Sequence, residues 1–215
     1  VWKLRHPADR DRPRRPAMSR RLRKGDLIEG QIAITHANDL VGQFEQTKNV
    51  AALRDAVSSY RRAVITVPAE HAEHATALNN LGAALQRLFQ QTGDLRVLEE
   101  AVEVGRTAVT ATPSDHASYA VRVNNLGNAL QRLFGRTRNL VLLTEAVDMA
   151  RLAVATSSTD HPDHASYLKN LADAAHMLFK QTYDPELLAE ARLATKDAAT
   201  TLRRAHAIDP METSG

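Results

Sequence analysis

Apolar residues recur along this chain at helical spacing. Leu78, Leu81, Leu85 and Leu88, with Phe89, fall on one helical face, and Leu95, Leu98, Val102, Gly105 and Val109 mark a second face just beyond. Two helices are therefore expected there, separated by the run Gln-Thr-Gly-Asp at 91–94. The same pattern returns every 45 residues without a gap, in the columns Phe44, Phe89, Phe134, Phe179 and Thr47, Thr92, Thr137, Thr182. Ala56, Ala101, Ala146 and Ala191 form a third column, Ala63, Ala108, Ala153 and Ala198 a fourth, and His71, His116, His161 and His206 a fifth. In each unit the second helix opens at Asn49, Asp94, Asn139 or Asp184, whose side-chain oxygens suit the N-cap, and Pro185 follows at the favoured first helical position. Pro68 and Pro113 close second helices, while Ser114, Asp115, Thr159 and Asp160 offer caps for the next first helix. Neither helix of a pair buries its stripe alone, so neighbours must stack. The expected fold is all-α, a solenoid of about four antiparallel helix pairs.

Composition narrows the function classes. Hydrophobic residues make up 43% of the 215 positions but aromatic ones only 4%, which suits alanine- and leucine-rich helices in close contact better than a β-sandwich. The absence of cysteine excludes disulfides, thiolate metal sites and thiol nucleophiles. No apolar run approaches the roughly 20 residues of a membrane span and no signal-peptide pattern opens the chain, so a cytoplasmic location is expected. The net charge of +3 is unevenly spread. Residues 1–25 hold ten Lys and Arg against Asp9 and Asp11, leaving the body acidic. The division expected is a basic disordered arm at 1–25, repeats at about 26–70, 71–115, 116–160 and 161–206, and a tail at 207–215. Because the chain opens on Val1, it reads either as a fragment or as one whose natural start is Met18.

The residues resemble the tetratricopeptide repeat in Leu78, Leu81, Gly82, Leu85, Ala101, Ala108 and Pro113. The usual period is about 34 residues, and the extra length falls in pieces close to one helical turn each, so longer helices on the same plan are implied. The runs at 160–165 and 78–82 look like kinesin-light-chain-type repeats. The phrase Asn-Asn-Leu-Gly-Asn-Ala-Leu-Gln-Arg-Leu-Phe at 124–134 is similar to arrays preceding caspase-like CHAT domains in actinobacterial and fungal proteins. Departures stand at Gly105, where an aromatic is usual, and at Lys169, Ala172 and Arg192 in the last unit. The resemblance implies a right-handed superhelix with the first helices lining a concave groove, and a non-catalytic scaffold for protein partners without cofactor or metal.

On that plan the inner stripe holds Thr76, Asn79, Ala83, Gln86 and Gln90, then Val121, Asn124, Asn128 and Gln131, then Ser166, Lys169, Asp173 and His176. Mid-helix asparagine is unfavourable without a reason, so Asn79, Asn80, Asn124, Asn125 and Asn170 read either as an amide ladder for an extended peptide or as bonds between adjacent helices. Arg87, Arg132 and Lys169 set cations near the groove, favouring an acidic partner or a terminal carboxylate, or else forming a solvated face. In the first unit Ile34 and Val41 fall on the inner stripe as an apolar subsite or as a seat for the arm with Trp2. His71 with His74 and His161 with His164 have the spacing of a metal pair, but Tyr119 breaks the series, and histidines packing in the turns are favoured. No phosphate loop, nucleophile elbow or His-Glu-x-x-His occurs. Two other readings stay open: nucleic-acid or anionic-surface binding by the arm, and an intramolecular regulatory scaffold for a downstream effector domain.

Overall fold

A computed structural model describes residues 24–208, with side chains from 25 to 205, so most of the basic arm, Trp2 and most of the tail lie outside the described residues. Eight helices follow in order: α1 Lys24–Thr47, α2 Val50–Thr66, α3 Ala72–Thr92, α4 Leu95–Thr110, α5 Tyr119–Thr137, α6 Leu140–Thr156, α7 His164–Thr182 and α8 Pro185–Ile208. No strand occurs among the described residues. Each odd helix pairs with the even helix after it, and each pair packs on the next, giving an α-solenoid of four antiparallel helix pairs. Odd helices also touch the odd helix one unit on, whereas even helices do not approach one another along their backbones. The odd helices therefore form the inner side of the curve.

The turn inside each unit explains two of the columns. Thr47, Thr92, Thr137 and Thr182 donate their hydroxyls to the carbonyl four residues back, at 2.8, 2.9, 2.9 and 3.1 Å. The same hydroxyls accept from the N–H of Asn49, Asp94, Asn139 and Asp184 at 3.2 to 3.3 Å. Those four residues cap the even helices as expected, accepting from the second amide beyond at 2.9 to 3.1 Å. The intervening residue is left-handed in every unit, at Lys48, Gly93, Arg138 and Tyr183 with φ of 55°, 68°, 58° and 59°. Its N–H closes on the carbonyl of the column phenylalanine at 2.7 to 2.8 Å. Only Gly93 adopts this conformation without a Cβ penalty.

The turn between units departs from expectation. Ser114, Asp115, Thr159 and Asp160 do not cap the following helix. At α3 the cap is His71, whose Nδ1 accepts the Glu73 N–H at 3.2 Å; His116 and His161 each accept the N–H of the residue just before α5 and α7, Ser118 and Asp163, at 3.1 Å, and those two helices start without a side-chain cap. His206 lies outside the described side chains.

The core runs the length of the stack. Leu53, Leu98 and Leu143 are fully buried in matching positions on the even helices, as are Leu85 and Leu130 on the odd ones. The two alanine columns lie buried where paired helices meet, their small side chains allowing close approach. Ile34 is likewise buried in this core, so it forms no apolar subsite on the inner surface.

Candidate functional site

The inner surface is built from α1, α3, α5 and α7, whose apolar stripes are turned toward the even helices. Asn79, Asn80, Asn124, Asn125 and Asn170 stand half-buried along it and are drawn into a chain of amides. Asn125 Nδ2 donates to Asn79 Oδ1 at 3.0 Å, and Asn170 Nδ2 to Asn124 Oδ1 at 2.7 Å, while Asn79 Nδ2 reaches Asn80 Oδ1 at 3.3 Å. Gln86 Nε2 donates to the Asn125 carbonyl at 3.3 Å. Two of these bonds, Asn79–Asn125 and Asn124–Asn170, tie one unit to the next, and each spans one repeat plus one residue. Among the described residues Asn124 Nδ2 and Asn125 Oδ1 make no hydrogen bond, nor do the half-buried side chains of Asn128 and Gln131.

The cations of this surface differ in how far they are neutralised. Arg87 pairs with Glu45 at 3.1 Å and Lys169 with Asp173 at 2.6 Å. Arg132 has no carboxylate partner among the described residues. Its Nη1 and Nη2 donate to the Gln90 amide oxygen at 2.8 and 3.0 Å in the amide orientation that satisfies both groups. A cleft of about 240 Å³ opens between the first two units, lined by Asn38, Val41, Tyr60, Asn80 and Arg87. There the Tyr60 hydroxyl donates to Asn38 Oδ1 at 2.6 Å, and burial pushes its pKa up while Arg87 opposes the shift. Tyr60 occupies the position of Gly105, so the first unit keeps the aromatic that the second lacks.

Three features of the array were not anticipated from the sequence. Arg122 is buried at the joint of α3, α4 and α5, donating to the hydroxyls of Thr112 and Thr76. Desolvation lowers its pKa, and no carboxylate among the described residues pairs with it. One unit on, Tyr167 takes the same place, with its buried hydroxyl lacking a partner; burial first and Asp163 second raise its pKa. On the outer face, arginines bridge even helices that otherwise stand apart. Arg61 grips Glu100 through Nε and Nη2 at 2.9 and 2.6 Å, Arg106 grips Glu145 at 2.9 and 2.6 Å, and Arg151 grips Glu190 at 2.8 and 2.8 Å. Each pair is 39 residues apart, and the glutamate hydrogen bonds raise all three arginine pKa values against the effect of burial. The signal was present as two further columns of the repeat.

The ring nitrogens of the paired histidines are engaged locally. His71 Nδ1 caps α3, His74 Nδ1 lies 2.8 Å from the Val67 carbonyl, and His164 Nδ1 lies 2.7 Å from Ser157 Oγ. Among the described residues no cluster of three or more histidines and carboxylates has metal-site geometry, and no helix is long and apolar enough to cross a membrane.

The family model of the tetratricopeptide repeat matches residues 74–116, which are α3, α4 and the turn beyond. The other units keep the same 45-residue register, helix pairing and threonine–cap turn. The fold is a tetratricopeptide-like helical array, and one of its units matches the family. A crystal structure of MamA is similar to this array with a TM-score of 0.50 at 14% identity, over 79% of this chain and 88% of that one, which bears on the fold alone. A putative kinesin light chain of Podosopora anserina with nearly identical TPR-like repeats is 19% identical over 87% of this chain and 96% of that one, with a TM-score of 0.48. Among curated proteins none matches the chain. Tetratricopeptide repeats generally serve as non-catalytic protein-interaction scaffolds.

Proposed function

We propose that this tetratricopeptide-like array is a non-catalytic scaffold that holds an extended segment of a partner protein along the inner surface of α1, α3, α5 and α7. The observation that supports this reading is the amide row at its centre. Asn124 and Asn125 offer a donor and an acceptor side by side, the two groups that an extended backbone presents in turn. Arg132, with no carboxylate of its own, supplies the charge for an acidic side chain or a terminal carboxylate. Arg87 and Lys169 contribute less, because Glu45 and Asp173 already neutralise them. The preference for an acidic ligand therefore rests on α5 rather than on one cation per unit.

The test is capture of partners from source lysate by the full chain, comparing wild type with Arg132→Glu after circular dichroism has established equal helicity. Removing a charge-assisted hydrogen bond costs about 1.5–3 kcal/mol, so capture should fall about tenfold or more. Equal capture by both would move the site off the inner surface, and no capture by either would favour an intramolecular scaffold.

A further inference from the structure

The end faces of the stack carry side chains that match each other in the register of the repeat. Between internal units, an arginine on one even helix grips a glutamate 39 residues later, in the pairs Arg61–Glu100, Arg106–Glu145 and Arg151–Glu190. The series runs off both ends. Among the described residues, Asp55 on α2 occupies the glutamate column with no arginine column facing it, and Lys196 on α8 occupies the arginine column with no glutamate column facing it. Both are exposed.

A second column behaves in the same way with apolar side chains. Arg122 meets Thr112 across the joint between the second and third units. In that register the first-unit residue is Ile32 and the last-unit residue is Leu202. The counterparts of Ile32, namely Ala77, Arg122 and Tyr167, are 0%, 6% and 2% exposed, yet Ile32 is 62% exposed; Leu202 is 52% exposed where its counterparts Val67 and Thr112 are 2% and 6%. A third position is polarised in opposite senses. Val102 and Ala129 share one apolar cluster across a joint, and their counterparts are Arg192 on α8 and Asp39 on α1. Ends that merely face water need polar residues; they do not need opposite signs and paired apolar groups at matching positions.

We propose that the end faces are an interface for a second copy of this chain, the α8 face of one copy seating on the α1–α2 face of the next so that the repeat register continues. Lys196 then meets Asp55, Arg192 meets Asp39, and Ile32 packs on Leu202. Such a contact is heterologous and propagates rather than closing on a two-fold axis.

Analytical ultracentrifugation of the full chain over a concentration series tests this, with circular dichroism as the folding check. Wild type should assemble beyond a dimer, less so at high salt. Lys196→Asp alone and Asp55→Lys alone should each weaken assembly about tenfold or more, because each sets like charges face to face. An equimolar mixture of the two variants should regain assembly, since in alternating order every joint sets opposite charges face to face, reversed at one joint and native at the next. A wild type that stays monomeric at every concentration would overturn the proposal and leave the faces to another occupant, residues 1–23 or a different protein. Failure of the mixture to recover would equally overturn it.

Discussion

Gly30 and Gly82 both lie buried in odd helices, yet they answer to different constraints. A Cβ on Gly30 would stand 2.2 Å from Val67 Cγ2, and a β-branched side chain that is 2% exposed has little freedom to yield. Gly30→Ala should therefore destabilise the array by about 1–3 kcal/mol in urea unfolding. Around Gly82 the nearest atoms are the Ala101 carbonyl oxygen at 3.8 Å and Val104 Cγ1 at 3.9 Å, ordinary contact distances, and Ala37 and Ala172 fill the same position in the outer units. Gly82→Ala should stabilise by about 0.5–1 kcal/mol in the same experiment, through backbone entropy alone. The columns that hold these residues were plain in the sequence, but what each side chain does was only partly so. The Asn and Asp caps follow from propensity, whereas the His71 cap and the turn bonds of His116 and His161 do not, because serine, threonine and aspartate in the same turn are the commoner choice. Threonine at 47, 92, 137 and 182 was visible as a column, but its double hydrogen bond depends on the left-handed residue beside it.

Helix positions were legible because the apolar stripe and the 45-residue period agree, and both are local properties of the chain. Asn139→Ala removes the amide oxygen that receives the Val141 N–H at 3.1 Å, and it should cost about 1 kcal/mol by urea unfolding. The polar stripe of the odd helices was legible too, but not that its asparagines satisfy one another across units, since the partners are 46 residues apart. Ile34 shows the limit of a helical wheel: the wheel gives an angle, and the packing around the helix decides whether that angle meets water. The arginine–glutamate bridges were missed for a related reason, as they join helices that do not pack on each other. A double-mutant cycle on Arg106 and Glu145 should give a coupling of about 0.5–1 kcal/mol that shrinks as salt is added, the pair being bidentate but partly exposed.

The whole array is a sum of short-range contacts, each unit resting on its neighbours. Its two sides are held differently. On the inside, odd helices touch the odd helices one unit away and are tied by amides; on the outside, even helices do not approach one another along their backbones among the described residues and are bridged by Arg61–Glu100, Arg106–Glu145 and Arg151–Glu190. A strip that is clamped along one edge and laced by charges along the other bends like a spring whose stiffness is set by ionic strength. At 1 M salt the Debye length is about 3 Å, against about 10 Å at 0.1 M, so the lacing slackens while the clamped edge is little affected. Small-angle X-ray scattering of a dilute sample should then show the curve opening or tightening with salt, and Arg106→Gln combined with Arg151→Gln should flatten that response. An elastic array of this kind would change the curvature of its inner surface while its buried contacts stay in place.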